Sequence, residues 1–444
     1  MSQNIIQDLG NGLILRRATA ADSEALIAFN GNVHCNPDTQ EPDKFVAAWV
    51  QDLMTRPHPT FQPGDFTIVQ DTHRGAIVSS LCLISQTWSY DGIPFGVGRP
   101  ELVGTLPDYR QRGLIRAQFE VIHRWSAERG EMVQGITGIP WYYRQFGYEM
   151  AMNLGGARIT YRPQKPTLPD GEPEPYRLRP ATEADLAFIA RVYEQGTCRH
   201  PVACLRDEAQ WRYELSGKSE CNVNRPELCV IETSSGEAVG LLTHTARLHE
   251  NRIAVLVYEL EPGISWLAVT PSVVRHMWGL GEKWADQVPG QRIERIIFSL
   301  GTEHPMYHVF RDRLPQTTNP YAWYLRVPDL PGFIRHIAPA LEQRLARSLL
   351  PGHSGELKIS FYRSGLRLVF QQGKLSTVEP WQPTQADGGD AAFPDLSFLQ
   401  LLFGYRTLDE IKSGFADCWT GNNEVRALLD ALWPKKPSDL WPVS

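Results

Sequence analysis

An eight-residue segment that occurs twice constrains this chain more than any other feature. Leu15-Arg-Arg-Ala-Thr-Ala-Ala-Asp22 returns 163 residues later as Leu178-Arg-Pro-Ala-Thr-Glu-Ala-Asp185. Each copy reads as a short strand entering a helix, with Thr19 or Thr182 as N-cap and Asp22 or Asp185 three residues on. Thr-x-x-Asp approximates a capping box, and an acidic residue suits the positive end of a helix. Alone the segment would be trivial; repeated at domain-sized separation it predicts a duplicated fold. At 444 residues the chain is too long for one ordinary core, so two or three domains are expected. The seam, residues 162–176, carries five prolines and no apolar periodicity, and reads as a linker.

Apolar, β-branched runs mark strands in both copies. In the first they are 66–69 and 76–84; in the second, 228–231, 238–242, 253–258 and 296–300. Past Asp329 the pattern changes to a helix over 332–349, strands over 355–362 and 366–371, and a Gly/Asp/Pro-rich loop near 380–395. Short helices over 397–402 and 408–413 and a last one over 425–432 follow. The reading is an α/β duplication followed by an α+β unit, divided as 1–162, 176–328 and 329–444.

Chemistry concentrates between Glu101 and Glu149. An apolar strand ends at Pro107, which fixes φ and removes a donor. Arg110-Gln-Arg-Gly113-Leu-Ile-Arg116 then leads into a helix, because Ile115, Phe119, Ile122 and Trp125 recur at helical spacing. A pyrophosphate-binding turn needs free backbone N–H groups, positive charge and a helix N-terminus, and this segment offers all three. Gly113 lets backbone approach a ligand closely. About thirty residues later comes Tyr143-Arg-Gln-Phe146-Gly147-Tyr148.

This combination resembles the acyl-CoA-binding motif of the GNAT N-acetyltransferases, Arg/Gln-x-x-Gly-x-Gly/Ala, with Ile115 departing at the third position. Its Arg-Gly-Leu-Ile-Arg form looks like the enhanced-intracellular-survival branch. That branch joins a duplicated N-acetyltransferase fold to a small domain similar to sterol-carrier-protein-2, and Phe398 to Leu408 resembles a helix-Gly-Tyr turn of that last domain. The fold class expected is therefore α/β and α+β: tandem GNAT domains, each a mixed sheet with flanking helices, then a sterol-carrier-like domain.

The resemblance implies acetyl-CoA as cosubstrate, no metal, and a homo-oligomer, a hexamer in relatives. It implies main-chain pairing of Val103, Gly104 and Thr105 with pantetheine, and a pyrophosphate site at Gln111, Arg112, Gly113, Leu114, Ile115 and Arg116, with Gly138 and Ile139 completing the cofactor site. Tyr143 matches the general acid; a phenol can protonate a departing thiolate because its pKa of about 10 is near or above that of a thiol. Tyr142 is its rival, while Phe146 and Tyr148 read as core. For the base, the resemblance points to the terminal carboxylate, here on Ser444 where relatives usually end in an aromatic residue; Glu101 is the second candidate. Trp49, Trp88, Tyr90 and the acidic first-helix region are candidate substrate contacts. Residues 268–281 echo the turn, but their glycines fall inside a helix, so the second copy is read as binding no CoA.

Composition limits the partners. A net charge of −6 argues against nucleic acid. No run of about 18 apolar residues and no leader-like N-terminus is visible, which makes the cytoplasm the default. Cys35, Cys82, Cys198, Cys204, Cys221, Cys229 and Cys418 form no CxxC pair; a zinc site from Cys198, His200 and Cys204 is conceivable, but reduced cysteines are the simpler reading. No cysteine is near the motif, so direct attack by a primary amine of a small molecule or peptide, in a ternary complex, is expected. Two other readings stand beside it: an acyl-CoA or lipid carrier, which would not need Tyr143, and an inert interaction protein, in which both copies of the turn should decay alike.

Overall fold

The computed structural model describes residues 5–35 and 40–444, which form three mixed sheets with flanking helices. The first sheet runs Ile5–Gly10, Leu13–Arg17, Phe66–Asp71, Ala76–Tyr90, Ile93–Thr105, Val133–Ile136, Tyr321–Arg326, Glu149–Leu154, with Val202–Cys204 added beside Ala76–Tyr90. The second runs Gln316–Thr318, Ala157–Tyr161, Arg295–Phe298, Arg252–Leu260, Ala238–Thr245, Pro226–Thr233, Tyr176–Pro180. In each, one parallel pair is joined by a crossover helix, Leu114–Glu128 or Trp266–Ala285. Two strands cross the seam. Ala157–Tyr161 precedes the linker yet pairs in the second sheet, and Tyr321–Arg326 follows the second copy yet pairs in the first. Each sheet is thus completed by the other half of the chain.

The repeated segment builds the same small network twice. Asp22 and Asp185 each complete a capping box with Thr19 or Thr182. Arg16 forks onto Asp22 at 2.6 and 2.9 Å while its Nε donates to Gln70 at 2.9 Å; Arg179 forks onto Asp185 at 2.7 and 2.8 Å while its Nε donates to Glu232 at 2.6 Å. Hydrogen bonding from Arg179 holds the Asp185 carboxyl below its ordinary value. A depressed folded-state pKa stabilises above the ordinary carboxylate range, and that contribution is lost as pH falls through the folded value. Asp185→Ala should therefore lower the unfolding free energy at neutral pH by about 1–2 kcal/mol, the lower end favoured because Arg179 is partly solvent-exposed. The difference from wild type should shrink in acid, as read by urea titration at both pH values.

The third sheet, Lys374–Trp381, Gly365–Gln371, Gly355–Ser360, Ala391–Ala392, Trp419–Thr420, packs with its helices against the back of the first. Here the expectations need correcting at four points. The helix expected over 332–349 is two, Leu330–His336 and Ala338–Ala346, because Pro339 cannot supply an interior N–H and starts a new first turn. Strand Lys374–Trp381 was not anticipated. Trp88 and Tyr90 are not substrate contacts. Both are fully buried: Trp88 packs edge-on to Trp323 of the same sheet at 5.5 Å, Tyr90 donates to the Leu402 carbonyl at 2.6 Å, and both belong to the core shared with the third unit. Trp49 likewise packs in the core beneath the first two helices.

Candidate active site

Strand Ile93–Thr105 runs parallel to Val133–Ile136 for two residue pairs, Val97–Val133 and Gly98–Gln134, and then parts from it. Diverging carboxyl ends of parallel strands leave a crevice for a ligand. On its other side the strand stays paired with Ala76–Tyr90 as far as Thr105. Cys82 pairs with Glu101 and Ser80 with Gly104, so Leu102 and Val103 face Leu81 alone, and Leu102 adopts φ 55°. This bulge bends the strand at the crevice, a usual place for such a device. The bulge lies at Leu102–Val103. Gly104 serves a different close approach: a Cβ there would stand 2.6 Å from Val33 Cγ1, on the helix Ser23–Val33.

The crevice is a cavity of about 830 Å³. Glu101, Val103, Gly104, Thr105, Gln111, Gly113, Leu114, Ile115, Arg116, Gly138, Ile139 and Tyr143 all line it. Arg112 and Ser444 do not. Arg112 donates to the Asp108 carbonyl at 2.7 Å and lies over the Tyr109 ring. Phe146, expected in the core, also faces the cavity, stacked on Phe119 at 4.3 Å with Arg116 over its ring.

The turn departs from ordinary helix entry. Gln111 and Gly113 are left-handed, at φ 61° and 76°, and Gly113 is an N-cap without a side-chain cap. Ala117 donates to the Gly113 carbonyl, so the N–H groups of Leu114, Ile115 and Arg116 precede the first intrahelical bond. Unsatisfied donors, a helix dipole and nearby arginines make an anion site, which fits the phosphates of a CoA. The second copy differs at this point. Ser265 caps its crossover helix by accepting from Ala268 N–H, and Trp266 closes edge-on over Tyr258 and His304 at 4.9 and 5.0 Å.

Glu101 and Tyr143 stand at the same cavity. Burial raises the Glu101 carboxyl, opposed by Arg99, which is ion-paired to it. Burial, then the charge of Glu101, pushes the Tyr143 phenol above its ordinary value. Tyr143 is 3% exposed, and its hydroxyl makes no hydrogen bond to another described residue. Tyr142 is half-buried beside it, its phenol also raised by burial. The chain's last residues reach the same region: Arg99 donates to Ser444 Oγ at 3.0 Å and to the Val443 carbonyl at 3.4 Å. Ser444 thus sits one arginine away from Glu101.

Three features escaped the sequence reading. His34 lines the cavity from the end of the first helix; burial lowers its pKa and its Nε2 is buried without a partner among the described residues. Tyr324, from the exchanged strand, packs against Tyr143. Cys82, distant in sequence, lies opposite Glu101, but it is fully buried and its thiol is pushed well up by burial, which withholds the thiolate a covalent route needs. Of the zinc candidates, Cys198 Sγ contacts the Glu194 carbonyl, His200 Nδ1 the Pro437 carbonyl, and Cys204 Sγ Gln86 Oε1; the three side chains engage separate partners.

Residues 15–151 match the family described as the acetyltransferase (GNAT) domain. No curated protein matches the chain. Similar solved structures include a conserved protein of Enterococcus faecalis V583 described as a probable N-acyltransferase, at 13% identity and TM-score 0.64, covering 97% of this chain and 100% of that one. A GCN5-related N-acetyltransferase from Anabaena variabilis ATCC 29413 has 13% identity and TM-score 0.63, over 96% of this chain and 99% of that one. Eis1 from Mycobacterium abscessus has 15% identity and TM-score 0.60, again over 96% and 99%. At such identities the likeness is one of fold. The domain match places an acetyltransferase (GNAT) domain in residues 15–151, and the solved structures share the fold over nearly the whole chain. Among the described residues no helix is long and apolar enough to cross a membrane.

Proposed function

We propose that the chain transfers the acetyl group of acetyl-CoA to a primary amine, of a small molecule or a peptide lysine, by direct attack in a ternary complex. One observation carries the reading: Glu101 and Tyr143 flank the cavity that the uncapped turn at Gln111–Arg116 also lines. The amine nitrogen forms its bond to the thioester carbonyl carbon, the carbon–sulfur bond breaks, and the amine proton passes to Glu101 while Tyr143 protonates the departing thiolate. Burial suits both groups, since a raised carboxyl is a better base near neutrality and a raised phenol stays protonated until it donates. Ser444 and the terminal segment act through Arg99, setting its charge against Glu101. Residues 1–162 form the catalytic unit in this reading. Residues 176–328 are read as binding no CoA, since their crossover helix starts at a Ser265 cap and carries no arginine-and-glycine turn. Residues 329–444 are similar in plan to a sterol-carrier domain, with no ligand assigned.

Calorimetric titration of acetyl-CoA into the full chain tests this. One site per chain is expected, followed by amine-dependent thiol release in a panel of small amines and lysine peptides. The absence of any binding heat together with no thiol release would overturn the reading.

A further inference from the structure

The strand Tyr321–Arg326 carries Tyr324 from the far end of the second copy to the segment that presents Tyr143. Tyr324 is fully buried, and its ring meets that of Tyr143 edge-on, centroids 5.5 Å apart at 70°. Its hydroxyl accepts the backbone N–H of Trp141. Trp141 is the N-cap of the short turn Tyr142–Phe146 and adopts φ 64°, ψ −9°. A bulky residue is seldom left-handed, and one held there needs surroundings that over-determine it. The Trp141 indole does not provide that restraint: it is 64% exposed, with Arg144 over its face. The restraint comes through the main chain, from Tyr324.

We propose that Tyr324 is a positioning residue for Tyr143: its hydroxyl holds Trp141 left-handed and its ring fixes the Tyr143 ring, so the second half of the chain completes the catalytic apparatus of the first. The inference rests on the reading of Tyr143 as proton donor. It gives the strand exchange a functional consequence, because removing strand Tyr321–Arg326 from the first sheet would free the turn as well as open the sheet.

The test is Tyr324→Phe in the full chain, which keeps the ring and removes the hydroxyl that accepts the Trp141 N–H and meets that of Tyr321. Acetyl-CoA affinity should stay within about twofold of wild type while kcat falls about tenfold, the pattern of a misplaced reacting group. Amide exchange over residues 139–147, followed by mass spectrometry, should quicken. Adding Trp141→Gly should restore most of kcat, because glycine takes positive φ without steric cost, whereas a merely structural defect would not be rescued. Unchanged exchange over 139–147, or a lost kcat that Trp141→Gly fails to restore, would overturn the proposal. Tyr143→Phe run in parallel separates the two readings: wild-type turnover there removes the proton-donor role, while the exchange data still report whether Tyr324 holds the turn.

Discussion

Tyr143→Phe is expected to lower kcat by roughly two orders of magnitude or more while acetyl-CoA binding is unchanged. Phenylalanine keeps the ring that packs against Phe119, Tyr148 and Tyr324, with centroids 5.5 to 6.4 Å apart, so the turn should hold its shape. Only the hydroxyl leaves, and with it the proton that the proposed mechanism delivers to the thiolate. Because burial and the neighbouring Glu101 push the phenol up, it remains protonated across the working range, and the loss should be nearly independent of pH below that raised value. The acid limb of the wild-type profile belongs to the other group. Glu101 must be ionised to accept the amine proton, and burial raises its carboxyl against the pull of Arg99, so turnover should fall as pH drops through a value above the ordinary carboxylate range. Initial rates of thiol release across pH, for wild type and Tyr143→Phe, check both limbs. A Phe variant with wild-type kcat would leave the fold and the cavity standing but remove the acid.

What the sequence disclosed was local. The strand-to-helix repeat was legible because the cap, the acid and the arginine that clamps it lie within eight residues, and both copies form the same forked ion pair. The turn at Arg110–Arg116 was legible for the same reason. Strand exchange was not, because nothing in Tyr321-Ala-Trp-Tyr-Leu-Arg326 distinguishes pairing with Glu149–Leu154 from pairing with a neighbour in its own half. Tyr324 therefore could not be assigned to the site from sequence. The same limit hid Cys82 behind Glu101 and made Trp88 and Tyr90 look available, although both form the seam with the third unit. Strand Lys374–Trp381 was weakly marked for a physical reason. It is the edge of its sheet, which tolerates Pro380 and needs little apolar alternation. The break at Pro339 was written in the chain, since a proline inside a helical pattern ends or restarts it.

Gly113→Glu is expected to abolish detectable acetyl-CoA binding while the chain stays folded. At φ 76° any L-residue is strained, by about 1–2 kcal/mol. A Cβ at this position would meet nothing within 4 Å, so the strain stays local to the turn and no core contact is broken. The glutamate adds a negative charge beside the helix's first N–H groups, which repels phosphate and competes with it for Arg110 and Arg116. Gly113→Ala separates the two effects: it carries the backbone strain without the charge and should weaken affinity about tenfold. Calorimetry on the three proteins, beside their thermal midpoints, distinguishes lost binding from lost fold. A Glu variant that binds like wild type would place the cofactor away from this turn. In the proposed reading the second copy offers no replacement: Ser265 caps the corresponding helix by accepting from Ala268 N–H, and Trp266 packs edge-on against Tyr258 and His304. The binding heat should therefore vanish in the Glu variant, not fall to half.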